Sequence, residues 1–364
     1  MKTPKLLWRG NWYQKRHNNC RYAALLPRLQ SVCPSYRHLS QFRLISGVQW
    51  RIDHWLLRRW CEPRDMAMLA RRYLGLFCTD IRQIDLFPGP IIVDTDDPEL
   101  SPDLVNRLND PKVVAVITTT TLLQSRLIEL GLKPPCHVIP SGVEFDRLND
   151  ESCHMLAARY PRRHGTLRLG YALPKYYLDE ELATQAPERR LHSISWLLQV
   201  IQDVWKANPD IELWLIGKPS RLARHACRHD SRIRLLGYVP HEEILAHYSL
   251  FDIALYPRLV DVEGRHSIKL VEFMACGLPI VSTNVSESFR VRDANAGLVC
   301  NSQEAFIGAI LRLVGDPSLR AQLGENGRRY ARRFDWDRLA QRYDDKVLSP
   351  VIARLVSEEH SSHL

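Results

Sequence analysis

The segment Glu263-Gly264-Arg265-His266-Ser267-Ile268-Lys269-Leu270-Val271-Glu272-Phe273-Met274-Ala275-Cys276-Gly277-Leu278-Pro279 gathers groups that suit a phosphate ester. A polar loop carrying Gly264 and Ser267 runs into a short helix of apolar period. Lys269 stands in its first turn and Glu272 one turn further along. Unpaired N–H groups at a helix start face an anion well. Gly277-Leu278-Pro279 stops the helix, and Ile280-Val281 reads as a buried strand. A nucleotide diphosphate would lie on the N–H groups while the Glu272 carboxylate takes two ribose hydroxyls. The plain alternative is an amphipathic helix whose Lys and Glu face solvent.

The elements that would position this segment alternate in the pattern of a parallel sheet covered on both faces. In the second half, strands are expected at 167–172, 211–217, 232–239, 251–257 and 296–300. Helices are expected over 193–205, from Pro240 through Tyr248, and over 305–313 and 318–334. In the first half, strands are expected at 5–8, Leu44-Ile45, 90–98 and 113–118. A helix is placed roughly over 19–31 with Pro27 inside it, and another stops at Gly131. Residues 150–165, rich in His and Arg, read as a linker. The domains are thus expected at 1–155 and 165–335, with a terminal helix at 336–358 returning to the first. No G-x-G-x-x-G follows a strand and no G-x-x-x-x-G-K-[ST] occurs, so dinucleotide and P-loop readings have no support.

The chain has 364 residues, enough for two ordinary domains. Its opening residues read as a first strand and not as a signal peptide. Nine cysteines without a C-x-x-C pair argue against a disulfide framework or zinc site and for a reducing compartment, hence a cytoplasmic protein. The net charge of +9 is uneven: residues 1–50 carry no Asp or Glu, and residues 50–60 mix Arg with Trp50, Trp55 and Trp60. Such a segment suits peripheral contact with an anionic membrane through residues 1–60. A plain core helix explains it equally, and nucleic acid is the lesser partner.

The Ser267-Ile268-Lys269-Leu270 core with Glu272, Met274-Ala275, Gly277 and Pro279 resembles the donor-sugar motif of GT-B glycosyltransferases of family 4, in a subset with a Ser-x-Lys-Leu-x-Glu core. Three more stretches follow in the order of that family. Residues 118–143 are similar to its domain junction, 236–243 with 252–257 to its base-binding loop and the strand before the motif, and 333–340 to its returning helix. The resemblance implies an α/β GT-B fold of two Rossmann-like domains facing across a cleft. It implies a hexosyltransferase that takes a nucleoside-diphosphate sugar as donor, needs no metal or other cofactor, and retains anomeric configuration. A growing glycan or lipid-linked acceptor would fit polysaccharide biosynthesis at the inner membrane face.

Under that resemblance Glu272 is the ribose ligand. The backbone at Ser267 and Ile268, with Lys269, Arg258 and Arg265, would meet the charge growing on the departing diphosphate. Tyr238 and Val239 would border the base, and Gly10 and Asn11 the sugar and acceptor. Lys175 and Arg189-Arg190 are phosphate candidates or solvated loop charge. Asp94 and Asp96, at a strand end, could orient an acceptor hydroxyl or take its proton, while Asp97 before Pro98 reads as a helix cap. The family's further glutamate, eight positions before Glu272, is replaced here by Gly264, with Glu263 beside it as a weak substitute. Two rival readings remain: a nucleotide-sugar epimerase, and a non-catalytic nucleic-acid- or glycan-binding protein on a degenerate GT-B scaffold.

Overall fold

The computed structural model describes residues 3–10, 20–36, 62–96, 98–183, 187–262, 264 and 266–361. Two compact units divide the chain: Met1–Gly142 with Gly264–His266 and Trp336–Leu364, and Val143–Glu263 with Ser267–Asp335. No helix among the described residues is long and apolar enough to cross a membrane. The strand expected at Leu44-Ile45 and the Trp-rich segment 50–60 lie outside the described residues.

The first unit holds β1 (Thr3–Gly10), β2 (Val32–Tyr36), β3 (Tyr73–Cys78), β4 (Ile91–Asp94), β5 (Val113–Thr118) and β6 (Cys136–Val138). They form one sheet in the order β2-β1-β3-β4-β5-β6, every neighbour parallel. Every side chain of β3 and β4 is buried, as their near-continuous apolar runs require of strands covered on both faces. Strands β2 and β3 have no counterpart in the sequence reading. Pro34 speaks against a central strand, but β2 lies at the sheet edge, where a missing N–H is tolerated. Likewise, the helix expected over 19–31 is shorter: Cys20–Leu25 is α-helical, and a 3-10 turn over Leu26–Arg28 follows with Pro27 in it.

The second unit holds β7 (Leu167–Tyr176), β8 (Ile211–Pro219), β9 (Ile233–Gly237), β10 (Ile253–Tyr256), β11 (Ile280–Thr283) and β12 (Gly297–Cys300). The sheet is again parallel, in the order β12-β11-β10-β7-β8-β9. Its order reverses between β7 and β10, and the carboxyl ends of strands at such a switch point form the usual ligand crevice of open α/β sheets. Residues expected as a linker form a helix instead, Asp150–Arg159, whose cap Asn149 accepts from the Ser152 N–H at 2.8 Å. This helix has no fully buried residue and meets the core only through Leu156 and, just beyond it, Tyr160, so its apolar period is weak. The two units divide at Gly142/Val143, ahead of this helix.

Helices Trp336–Tyr343 and Ser349–Ser361, joined by a π-helical turn, count with the first unit. Trp336, Leu339, Tyr343 and Leu355 pack in one cluster with Leu6, Trp8 and Phe77. Beneath them lies a buried polar knot. Asp94, at the end of β4 and fully buried, pairs with Arg21 at 3.2 Å. The Tyr343 hydroxyl donates to the same carboxylate oxygen at 2.5 Å. Arg21 donates further to the Ile139 carbonyl at 2.8 Å and to Ser141 Oγ at 3.0 Å. Burial by itself would lower the Arg21 pKa, but Asp94 above all holds it well above its ordinary value. Asp94 is therefore saturated inside the unit, away from the acceptor role expected of it. Replacing it by Asn strands a buried guanidinium, which costs about 3–5 kcal/mol. Tyr343→Phe removes one bond to a charged acceptor, about 1.5–3 kcal/mol. Thermal unfolding of both variants should therefore place Asp94→Asn below Tyr343→Phe and both below wild type; unchanged midpoints would refute the assignment.

Candidate active site

The Ile268–Ala275 helix follows β10 and the loop after it. Ser267 takes the N-cap position with an extended backbone (φ −83°, ψ 103°), and its hydroxyl makes no capping bond to the helix. Ser267 thus supplies no side-chain cap, and a helix start of this kind suits an anion. Leu270 through Ala275 are all buried. At the other end the Leu278 N–H reaches the Phe273 carbonyl at 3.0 Å and the Gly277 N–H the Met274 carbonyl at 2.9 Å. Gly277 sits at φ +71°, so the helix closes in a Schellman motif that demands glycine there.

Glu272 is only 5% exposed. Tyr248 hydrogen-bonds its carboxylate, and His241 Nδ1 stands 3.9 Å from Oε1. Burial lifts the Glu272 pKa to about 7, against the opposing pull of Lys269, the Tyr248 bond and Arg147. The His241 pKa is lowered by burial and then by the Arg147 charge, which favours a neutral ring beside Glu272. Arg147 itself pairs with Glu144 at 2.6 Å. Sequence reasoning passed over Arg147 and Tyr248 because neither stands within the motif or at a fixed spacing from it.

A second polar cluster gathers at the carboxyl ends of the central strands. Tyr171 comes from β7, Tyr256 ends β10, Arg258 lies two residues on, and Glu287 follows β11. Arg258 is 7% and Glu287 6% exposed. The Tyr256 hydroxyl donates to Glu287 Oε2 and is also hydrogen-bonded to the Arg258 side chain. Arg258 Nε, Glu287 Oε1 and the Tyr171 hydroxyl are buried without a hydrogen-bond partner. Lys269 Nζ lies 6.0 Å from the centre of the Tyr171 ring. Burial would lower the Arg258 pKa, but Tyr171, Tyr256 and Glu287 hold it above its ordinary value. Of these atoms Arg258 Nε and the Tyr171 hydroxyl are donors, able to meet an anion, whereas Glu287 Oε1 is an acceptor. Glu287 carried no signal in the sequence, since Val285-Ser286-Glu287-Ser288 matches no pattern of catalytic residues.

The structure brings Ser267, Ile268, Lys269, Glu272 and Arg258 into the second unit around one helix start. Val239 is buried in the same core as that helix, while Tyr238 is 55% exposed with Lys218 Nζ 5.2 Å from its ring. Lys175, near the end of β7, is exposed. In the first unit Gly10 ends β1, and Asp96 stands at φ +53° with Arg21 Nε 4.0 Å from its carboxylate. Gly264 has φ +80°, and a Cβ added there would lie 3.0 Å from the Leu123 side chain, so a glutamate is strained at this position. Asn11, Asp97, Glu263 and Arg265 lie outside the described residues.

The raised Glu272 pKa has a consequence for stability with a definite sign. The folded state holds the proton more tightly than the unfolded chain, so this carboxyl's contribution is complete at acid pH and is lost as pH rises toward 7. The loss amounts to about 3 kcal/mol at most. Glu272→Gln should melt above wild type at pH values beyond the Glu272 pKa, with the gap closing toward pH 5; a pH-independent gap would contradict the buried, ionisable site.

Comparison with known proteins bears on the same region. Residues 185–316 match the family model for group 1 glycosyl transferases. The O-antigen chain mannosyltransferase B of Escherichia coli is 34% identical over 107 residues, which is 29% of this chain and 27% of that protein. The phosphatidyl-myo-inositol mannosyltransferase of Propionibacterium freudenreichii subsp. shermanii is 32% identical over 136 residues, 35% of this chain and 32% of that protein. The chain thus matches these curated relatives over less than a third of their length. Over the whole molecule, the crystal structure of Anabaena Alr3699/HepE in complex with UDP superimposes with a TM-score of 0.67 at 14% identity, covering 95% of this chain and 100% of that one. The chain has the GT-B fold of two parallel α/β units, and the segment that carries its candidate site is similar to the group 1 glycosyl transferases.

Proposed function

We propose that this protein is a glycosyltransferase that moves a hexose from a nucleoside-diphosphate sugar to a hydroxyl of a glycan or lipid-linked acceptor. The observation that carries the reading is the buried Glu272, one turn beyond the start of the Ile268–Ala275 helix, with Lys269 in the first turn and Arg258 buried in the adjoining cluster. The family match over 185–316 supports it, since both Lys269 and Glu272 lie inside the matched residues.

In this reading the ribose hydroxyls donate to the two Glu272 oxygens and the diphosphate lies across the helix start. As the sugar–oxygen bond breaks, negative charge collects on the departing diphosphate. Fixed donors in a buried site lower that barrier more than they stabilise the ground state. Lys269 and the first-turn N–H groups are assigned to this task, with Arg258 in support, its guanidinium tethered through Tyr256 to Glu287. That these residues work without a metal ion and that the anomeric configuration is retained follow from the resemblance of the motif alone, and action in the cytoplasm from the cysteine pattern. Asp96 remains the carboxylate for acceptor contact, because Asp94 is committed to Arg21 and Tyr343.

Thermal stabilisation by UDP, GDP, ADP and their sugar conjugates tests the donor site. Ligand at a hundred times its dissociation constant should add about 2.7 kcal/mol to the folded state. One nucleotide should stabilise wild type and leave Glu272→Ala unmoved; stabilisation by none, with no sugar transfer or hydrolysis, would move the protein to the non-catalytic reading. Ribose recognition needs the carboxylate, so nucleotide affinity should weaken as pH falls below about 7 in wild type and lose that dependence in Glu272→Gln. With donor saturating, Lys269→Ala should lower kcat by about 100- to 1,000-fold, measured by sugar release or transfer; an unchanged kcat with raised KM would leave Lys269 a binding residue only.

A further inference from the structure

The Arg221–Arg228 helix, which leads from β8 to the edge strand β9, carries a charge distribution that the donor site does not use. Its inner face is Ala223 and Cys227, packed in the core with Leu213 and Leu215. Its outer face presents Arg221, Arg224 and Arg228, all exposed, with His225 among them and Leu222 at 45% exposure on one flank. At 100° per residue these side chains follow one another around the solvent half of the helix as Arg224, Arg228, Arg221, His225 and Leu222. Asp230 is the single acid between Lys218 and Arg234, and it is taken by Arg232 at 2.6 Å. Among the described residues, no carboxylate pairs with Arg221, Arg224, Arg228 or Arg234. At the helix start Glu181 accepts from the Ser220 hydroxyl at 2.6 Å; the outer face itself carries charge of one sign, which attracts an external anion.

From this geometry we infer that the Arg221–Arg228 helix docks the second unit onto an anionic lipid surface. Charge complementarity supplies the attraction: guanidinium groups along one short, outward-facing helix meet phosphate headgroups, each cation near the surface strengthening binding about five-fold. The exposed Leu222 decides between lipid and nucleic acid. An apolar side chain beside the cations gains free energy in the headgroup–acyl boundary and gains nothing against a phosphodiester backbone. The inference is independent of the reaction assigned to the donor site and concerns a surface remote in sequence from residues 1–60.

Co-sedimentation of the full chain with vesicles tests it, using phosphatidylcholine alone and phosphatidylcholine mixed with phosphatidylglycerol. Wild type should bind the mixed vesicles, release in high salt, and ignore the neutral ones. The triple variant Arg221→Glu/Arg224→Glu/Arg228→Glu should lose at least about a hundredfold in affinity. A charge-matched control at exposed positions elsewhere, Lys133→Glu/Arg159→Glu/Arg338→Glu, should lose far less. Arg→Gln at the same three helix positions keeps the test valid should the Glu variant fail to fold, with the melting temperature of each variant as the check. The proposal fails if wild type does not bind mixed vesicles, or if control and helix variants lose equally, which would mean net charge alone. It fails also if the helix variants weaken binding of a single-stranded oligonucleotide while vesicle binding stands, which would assign the face to nucleic acid.

Discussion

A carboxylate held on the buried stretch Leu270–Ala275 of a short helix sets the terms for everything around it in the second unit. Glu272 lies between Val271 and Phe273, each fully buried, and water cannot stabilise its charge. The neighbourhood offsets part of that cost through Lys269, the Tyr248 hydroxyl and Arg147. The remainder persists as a proton affinity near neutrality. Holding such a group in place requires a helix that cannot shift. The Schellman closure at Gly277 fixes its end, and the Pro317–Ala331 helix lies so close that a Cβ at Gly324 would stand 2.1 Å from the Gly277 carbonyl. Close packing of this kind leaves no slack for the helix to swing the carboxylate toward water.

The two units dispose of strand-end carboxylates in opposite ways. Asp94 is saturated: Arg21, Tyr343 and the Asp96 N–H all donate to it. A group so fully paired contributes to the fold and has nothing left to offer a substrate. In the second unit Glu287 keeps one oxygen unpaired and Arg258 one nitrogen, both inside the protein. Buried polar atoms without partners are costly, and proteins seldom carry several in one place unless a ligand completes them. Satisfaction of hydrogen-bonding capacity, more than position at a strand end, separates the structural carboxylate from the functional ones.

The second half was the more legible because its strands are apolar and set apart by Gly, Pro and polar turns. The expected 193–205 helix appears as Ser195–Ala207, and the 251–257 strand as Ile253–Tyr256. The motif helix was readable from its period and its Gly-Leu-Pro stop. Tyr73–Cys78 escaped despite its apolar run; two other omissions had weak local signals. Val32–Tyr36 contains a proline that only an edge position permits, and Asp150–Arg159 has too few apolar residues to show a period. The site divides along the same line. Lys269 and Glu272 sit in a contiguous motif, whereas Tyr171, Tyr256 and Glu287 come from separate strand ends and meet only when the sheet order is known. Asp94 shows the converse: a carboxylate at a strand end looks reactive until Arg21 and Tyr343, 73 and 249 residues away in sequence, are placed beside it.

The knot at Asp94 also sets an order on synthesis. Arg21 and Tyr343 are 322 residues apart, yet they share one buried carboxylate. As the chain emerges from the ribosome, the sheet of the first unit can pair its strands long before Tyr343 and the helices around it exist. During that interval Leu6, Trp8 and Phe77 lack the cover later given by Trp336 and Leu339, and Asp94 lacks its phenol. The second unit, made in between, needs nothing from beyond Asp335 to complete its own core. The half that is translated first is therefore the one finished last, and its apolar face stays uncovered until residues 336–355 have been made.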